Sequence, residues 1–217
     1  MSEIEDDSAD LIVTSPSYNI GTQYGDFKDL MTMEEYQTIL KDVFSECNRI
    51  LKKNGKIIVE AADSVFSNGT YMQLSGYIQH LLKDLGLNLL ERHFNFALSQ
   101  NGIEEPEHNW NIDYTTKINA HSNCHQIVAF VKGEVELNPQ SVTMYFNYKS
   151  TPGHPCPTPM GVYNFILQRY FDKNMIVVDP FMGTAILGTE AIRNGGVFYG
   201  YERDNKIYKI AEDNLSK

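Results

Sequence analysis

Two short turns near opposite ends of the chain contain the residue types best suited to chemistry. The sequence TSPSY at 14–18 follows the mostly apolar run 10–13, and DPFMGT at 179–184 follows the apolar run 175–178. Each turn therefore lies where a parallel strand would end, which is where open α/β sheets bind their ligands. The first turn offers a hydroxyl, a prolyl carbonyl and an aromatic ring, and the second offers a carboxylate and a glycine. We expect one cleft built from both ends of the chain.

The second turn has the features of a nucleoside-binding loop. Gly183 lets the backbone approach a ligand closely, and the helix predicted after it directs free amides into the cleft. Glu202 follows Asp179 by 23 positions at the end of the next predicted strand. This separation is close to the offset of about 20 residues at which an acid binds ribose hydroxyls in dinucleotide folds. The alternative is an ordinary strand-to-helix connection with a glutamate on the surface.

Together the two turns resemble the motifs of amino-methyltransferases that use S-adenosylmethionine. DPFMGTA at 179–185 is similar to their cofactor motif Asp-Pro-Phe-x-Gly-Ser-Gly-Thr, with Ala185 in place of the second glycine. TSPSY is similar to their catalytic motif Ser/Asp/Asn-Pro-Pro-Tyr/Phe/Trp, with Ser17 in place of the second proline. The catalytic motif comes first, as in the β-class DNA methyltransferases. The resemblance implies a class I methyltransferase (Rossmann-like) α/β fold, with a doubly wound, mostly parallel sheet and one antiparallel strand.

The resemblance also implies one methyltransferase domain over 1–217, with a catalytic half at 1–131 and a cofactor half at 154–217. HPCPTP at 154–159 resembles the family's His-Pro-x-x-x-Pro element, which closes over the methionine part of the cofactor. The residues expected to bind S-adenosylmethionine are therefore Asp179, Pro180, Phe181, Gly183, Thr184, Glu202, His154 and Pro155.

The catalytic turn would have to activate a planar exocyclic amine without a strong base. Acceptors that hold the N–H bonds favour the pyramidal nitrogen that attacks a methyl group, and Ser15 and the Pro16 carbonyl can supply them. Tyr18 would stack on a base flipped from the DNA duplex, and Asn19 and Tyr24 are expected to contact it. The sequence at 10–16 is especially similar to the serine-type members of the family, so the resemblance implies N4 of cytosine ahead of N6 of adenine. Because the turn contains no cysteine, transfer should be direct.

Three other functions are compatible with the sequence. One is a catalytically weak or inactive cofactor-binding subunit of a methyltransferase complex, and another is an RNA amino-methyltransferase. The third is a metal site formed by His121, Cys124 and His125 or by His154 and Cys156, but no second pair has zinc-like spacing. We therefore expect no metal.

The composition indicates a cytoplasmic protein with reduced thiols. No apolar run approaches the roughly 18 to 20 residues of a membrane span, the first residues are acidic, and the three cysteines lack framework spacing. The 18 basic and 28 acidic residues give a net charge of −10, which argues against avid, sequence-independent DNA binding. A local positive field near the cleft would still allow DNA as a partner.

The periodicity predicts alternating strands and helices. Strands are expected at 10–13, 56–60, within 87–98, and at 126–131, 175–178 and 197–201, with helices after Thr32 up to Asn54-Gly55 and at 71–85, 160–171, 187–193 and 204–214. The irregular stretches 99–125 and 132–153 are candidate recognition loops. Relatives carry an extra strand before the point where this sequence begins, so the sheet is expected to lack an edge strand. A homodimer or a specificity-bearing partner protein would cover such an edge.

Overall fold

The computed structural model describes residues 1–98, 120–121, 124–135, 141–147 and 154–217. The recognition loops expected at 99–125 and 132–153 lie largely outside these residues. The strands are β1 Ala9–Thr14, β2 Gln23–Tyr24, β3 Phe27–Lys28, β4 Leu51–Ala62, β5 Val65–Ser67, β6 Thr70–Met72, β7 Asn88–Leu98, β8 Ala120–His121, β9 Cys124–Val131, β10 Thr143–Asn147, β11 Ile176–Asp179 and β12 Val197–Gly200. The helices are α1 Met33–Ile50, α2 Leu74–Asp84, α3 Met160–Tyr170, α4 Ile186–Arg193 and α5 Asn205–Leu215.

Within the described residues, seven strands form the main sheet in the order β10-β7-β9-β4-β1-β11-β12. Strand β9 is antiparallel to both of its neighbours, β4 and β7, and the other neighbouring pairs are parallel. Six strands therefore run in one direction and β9 runs against them. This arrangement confirms the predicted doubly wound sheet with one antiparallel strand.

The sheet is buried on both faces by helices. Along β1, Ile12 faces a cluster that contains Leu40 and Phe44 of α1, whereas Leu11 faces a cluster that contains Val162 of α3. All of these side chains are fully buried, and each contributes about 1.5–3 kcal/mol of hydrophobic stabilisation. Continuous apolar strands of this kind are typical of parallel sheets covered on both sides. The helices therefore hold β1 and its neighbours rigidly beneath the turns that follow them.

Helix α1 begins as predicted but ends earlier than predicted. The Thr32 side chain accepts from the Glu35 amide and the Glu35 carboxylate accepts from the Thr32 amide, which is a capping box. The prediction that Asn54-Gly55 ends the helix is wrong, because the helix ends at Ile50 and β4 begins at Leu51. Leu51 is fully buried, and Asn54, with a φ of 64°, lies where the register between β1 and β4 shifts. Burial in the sheet thus outweighs the local turn signal.

Two other elements differ from the sequence predictions. Helix α2 begins at Leu74, because Tyr71 belongs to β6, which pairs with β5 in a small antiparallel sheet. Strand β10 lies within a stretch expected to be irregular, and it pairs in parallel with β7. One edge of the main sheet is therefore β10, and the other is β12. Among the described residues, no helix has the length and apolarity that a membrane span requires.

Candidate active site

The two turns meet at the switch point of the sheet. In the main sheet, β1 and β11 are parallel neighbours. The next strand of this sheet after β1 along the chain is β4, on one side of this pair, and the next after β11 is β12, on the other side, so the carboxyl ends of β1 and β11 lie together at the point of divergence. The Thr14 hydroxyl donates to Asp179 Oδ1 across this point at 2.7 Å, and both residues are buried. Residues 165 positions apart in the sequence thereby fix the two turns to each other. A cleft at such a switch point is the usual ligand site of an open α/β sheet.

A cavity of about 750 Å³ opens between the turns. This volume is within the range of ligand and cofactor sites, which is roughly 300–1,000 Å³. Two of the predicted site residues, Asn19 and Asp179, are absent from its lining and lie behind its wall. The other eleven line it: Ser15, Pro16, Tyr18, Tyr24, His154, Pro155, Pro180, Phe181, Gly183, Thr184 and Glu202.

In the first turn, Ser15 is held by a carboxylate that the sequence analysis missed. The Ser15 hydroxyl donates to Glu60 Oε2 at 2.7 Å. Glu60 lies near the carboxyl end of β4, between apolar neighbours, and is only 2% exposed. Because its proton points at Glu60, the Ser15 oxygen keeps its lone pairs for a group in the cavity. The signal in the sequence was a single acid at the end of the predicted strand 56–60, where it follows three apolar residues.

Glu60 also contacts His125 and Tyr18. His125 Nδ1 lies 2.6 Å from Glu60 Oε1, and the Tyr18 hydroxyl lies 3.1 Å from His125 Nδ1 and 3.4 Å from Glu60 Oε2. We refer to Ser15, Tyr18, Glu60 and His125 as the Glu60 cluster. His125, considered above as a metal ligand, therefore contacts a carboxylate and a phenol. Among the residues that the structure describes, no group of three or more His, Cys, Asp or Glu side chains could hold a metal ion.

Ser17, which stands where the family motif has its second proline, is held by the hydroxyl of a tyrosine. The hydroxyl of buried Tyr36 donates to the Ser17 carbonyl at 2.5 Å, and both residues line the cavity. A proline would have fixed one backbone angle of this turn. In this chain, a side chain from α1 restrains the same residue through its carbonyl oxygen.

Asn19 holds the loop that follows the first turn. It is fully buried with a φ of 57°, and its side chain both donates to and accepts from the backbone of Met31. Its own amide donates to Asp29, a buried carboxyl whose pKa desolvation raises to about 6. The backbone amide and the side chain of Asn19 thus hold together the two ends of the loop between Asn19 and Met31. The expected contact between Asn19 and a substrate stays a prediction.

In the second turn, Asp179 is buried and accepts two hydrogen bonds. Its Oδ1 accepts from the Thr14 hydroxyl and from the Phe181 amide, the latter at 3.0 Å. Desolvation raises the pKa of Asp179 to about 7, although both hydrogen bonds oppose this shift. A cationic group bound nearby would favour the charged carboxylate.

Gly183 lets the turn pass directly against a histidine ring. It has a φ of +53°, and a Cβ built on it would lie 2.7 Å from His154 Nε2. Burial lowers the pKa of His154 to about 4, so the ring is neutral at pH 7. The ring also packs edge-on against Tyr24, at 5.7 Å between centroids. His154 therefore joins the second turn to the small hairpin formed by β2 and β3.

Ala185, at the position of the family's second glycine, adopts the backbone conformation that favours glycine. Its φ is 58° and it is fully buried at the start of α4. This left-handed conformation costs an alanine roughly 1–2 kcal/mol. Its methyl group packs with Met182 and Ala211, which offsets part of that cost. The departure from the motif therefore changes the side chain but not the path of the backbone.

Glu202 faces the cavity at the end of β12. Its Oε1 accepts from the Asp204 backbone amide at 2.8 Å. Burial nevertheless raises its pKa. A carboxylate fixed in this way can still accept hydrogen bonds from hydroxyls in the cavity.

The family model described as DNA methylase, for N6 and N4 methyltransferases, matches residues 9–213. Type II methyltransferase M.BglII of Bacillus subtilis is 27% identical over 238 residues, which cover 99% of this chain and 65% of M.BglII. Type II methyltransferase M.HpaI of Haemophilus parainfluenzae is 24% identical over 235 residues, which cover 99% of this chain and 70% of M.HpaI. This chain thus spans about two thirds of the length of these relatives.

Two solved structures show that the fold is shared. The DNA modification methylase TTHA0409 of Thermus thermophilus, solved in complex with S-adenosyl-L-methionine, superposes with a TM-score of 0.69 at 17% identity, covering 99% of this chain and 88% of the other. The cytosine-N4-specific PvuII DNA methyltransferase superposes with a TM-score of 0.66 at 18% identity, with the same coverage. The fold is therefore the class I methyltransferase fold. Since the family model covers most of the sequence, the chain belongs to the DNA methylase family.

Proposed function

We propose that the chain transfers a methyl group from S-adenosylmethionine to an exocyclic amine of a DNA base, with N4 of cytosine preferred over N6 of adenine. The observation that carries this proposal is the pair formed by Ser15 and Glu60, which faces the cofactor turn across one cavity. A hydroxyl with its proton fixed on a carboxylate is an acceptor suited to an amine N–H.

The residues of the second turn suit S-adenosylmethionine. Glu202 presents a carboxylate that can accept from both ribose hydroxyls. The close approach at Gly183 and the start of α4, which has no side-chain cap, suit the methionine carboxylate. The carboxyl group of Asp179 lies beneath the same turn and suits the methionine ammonium group. His154, Pro155, Pro180, Phe181 and Thr184 complete this wall of the cavity.

When bound, S-adenosylmethionine supplies a methyl group on a positively charged sulfur. Ser15 Oγ and the Pro16 carbonyl accept the two amine N–H groups, so the nitrogen lone pair is directed away from the base ring. Transfer would form the bond from the amine nitrogen to the methyl carbon and break the sulfur–methyl bond, which would leave a neutral thioether. The amine would give up one proton to Ser15 Oγ, whose own proton would move to Glu60. General-base assistance of this kind accelerates reactions by about 10²–10⁴-fold.

Tyr18 and Tyr24 give the base its place in the cavity. The Tyr18 ring lies next to Ser15 and can stack on a base that has left the duplex. Tyr24 also lines the cavity, where its ring packs against His154. The preference for cytosine rests on the serine-type turn TSP at 14–16.

DNA as the substrate is supported by family membership, and the net charge of −10 favours contacts limited to the mouth of the cleft. We also propose, from the open edge of β12, that a second copy or a specificity-bearing partner contributes DNA contacts. The names of the relatives, type II methyltransferases, are consistent with a role in restriction and modification.

The test is methyl transfer from tritiated S-adenosylmethionine to mixed duplex DNA and, in parallel, to RNA. We expect label in DNA, and none with Ser15→Ala, whose cofactor affinity by calorimetry should be unchanged. Label found only in RNA would identify an RNA methyltransferase. Cofactor binding without transfer to either nucleic acid would identify an inactive cofactor-binding subunit.

A further inference from the structure

His125 and Glu60 meet across the antiparallel pairing of β4 with β9. The backbone partner of His125 is Ala62, two residues beyond Glu60 on β4. Diagonal neighbours on a ladder are within reach of long side chains. Both side chains are 3% exposed, so their contact of 2.6 Å is shielded from water. The reversed direction of β9 is therefore what brings His125 next to the catalytic turn.

The contacts assign the donors in the Glu60 cluster. A carboxylate can only accept, so His125 Nδ1 carries the proton in its contact with Glu60 Oε1. The Tyr18 hydroxyl then donates towards Glu60 Oε2, at 3.4 Å. Ser15 donates to that same oxygen, at 2.7 Å. One oxygen of Glu60 is thus held by His125, and the other faces the turn.

We propose that His125 is a positioning residue, which holds Glu60 and Tyr18 in one fixed arrangement against Ser15. The inference rests on the proposed function and adds a residue to it. Without the imidazole, the Glu60 carboxylate would lose its hydrogen bond of 2.6 Å at a position where both side chains are 3% exposed. It would then rotate or bind a proton, and in either case Ser15 would lose its acceptor. The Tyr18 ring would lose its contact with the same pair.

Three substitutions of His125 differ in where they place a hydrogen-bond donor, and this difference tests its role. An asparagine places its amide nitrogen near the position of Nδ1, so His125→Asn keeps the donor. A glutamine places its amide one bond further out, near the position of Nε2, so His125→Gln does not. His125→Leu removes the donor altogether. The comparison of Asn with Gln remains informative even if His125→Leu fails to fold.

The chain also provides a matched control. His93 is a fully buried histidine whose Nε2 lies 3.2 Å from Glu91 Oε2, and neither residue lines the cavity. His93→Asn therefore disturbs a buried histidine–glutamate pair without touching the site. We expect it to lower the melting temperature and to leave the turnover number unchanged.

The experiment measures kcat and KM for DNA, together with the cofactor Kd by calorimetry. Loss of alignment at a reacting centre costs about 100-fold, so we expect this loss of kcat for His125→Gln and His125→Leu and less than about tenfold for His125→Asn. KM and the cofactor Kd should change by less than about threefold, because ground-state binding is retained. Equal rates for the Asn and Gln variants in an active protein would overturn this inference alone. Absence of transfer by the unaltered protein would instead refute the proposed function.

Discussion

Asp179→Asn should abolish the pH dependence that Asp179 imposes on stability. Burial raises the pKa of this carboxyl from 3.8 to about 7. A carboxyl with a raised pKa holds its proton more tightly in the folded state, so its contribution to stability is complete below pH 4 and is lost as the pH rises to about 7. The shift of about 3 units corresponds to about 4 kcal/mol in the free energy of unfolding.

Asparagine suits this site because both hydrogen bonds reach one oxygen. Thr14 and Phe181 both donate to Oδ1, which the amide of asparagine retains, and the replacement carries no charge at any pH. The free energy of unfolding of Asp179→Asn relative to the unaltered protein should therefore rise with pH. About 3 kcal/mol of this difference should fall between pH 5 and pH 8, at roughly 1.4 kcal/mol for each pH unit below 7.

The assay is urea unfolding of both proteins at pH 5, 6, 7 and 8 without cofactor. Asp29, whose pKa burial also raises, contributes equally to both proteins and cancels in the difference. The charge of Glu202 helps to raise the pKa of Asp179, so its interaction with Asp179 is part of the measured difference. Asp42→Asn, on the exposed face of α1, is the control and should run parallel to the unaltered protein. A constant difference between Asp179→Asn and the unaltered protein across this range would refute the reasoning.

Three further substitutions test the site. Glu60→Gln should lower the rate of methyl transfer by about 10²–10⁴-fold with little change in the cofactor Kd, and a loss below tenfold would show that Glu60 is not the proton acceptor. Gly183→Ala should cost at least about 1–2 kcal/mol in thermal unfolding because of its positive φ and the His154 ring, and it should weaken cofactor binding in calorimetry. Tyr36→Phe should cost about 1 kcal/mol and slow transfer at unchanged cofactor affinity, because the Ser17 carbonyl loses its donor; an unchanged rate would mean that the turn is rigid without it.

The parts of the fold that follow from local pattern could be predicted from the sequence. The capping box at Thr32 depends on residues three apart, and the two turns follow short apolar strands. Parallel strands that end in such turns bring them to one edge of the sheet, so the cavity between them was expected. The roles of the individual cavity residues stay predictions until they are tested.

The parts that depend on pairing between distant strands could not be predicted. Glu60 and His125 are 65 residues apart, and only the register of β4 with β9 places them together. Neither residue is part of a local sequence motif that indicates this contact. Glu60 was an acid at the end of a predicted strand, and His125 was a candidate metal ligand. The end of α1 at Ile50 was missed for a similar reason, because the burial of Leu51 in the sheet outweighs the Asn54-Gly55 signal.

The most direct test of the central claim is the identity of the methylated nucleoside. The protein is incubated with S-adenosylmethionine and duplex DNA of mixed sequence, and the DNA is digested to nucleosides and separated for mass spectrometry. We expect N4-methylcytosine, which should disappear with Ser15→Ala; N6-methyladenine would retain the mechanism and reverse the proposed preference for cytosine. Formation of 5-methylcytosine, which requires attack on a ring carbon rather than on the amine, would contradict the account.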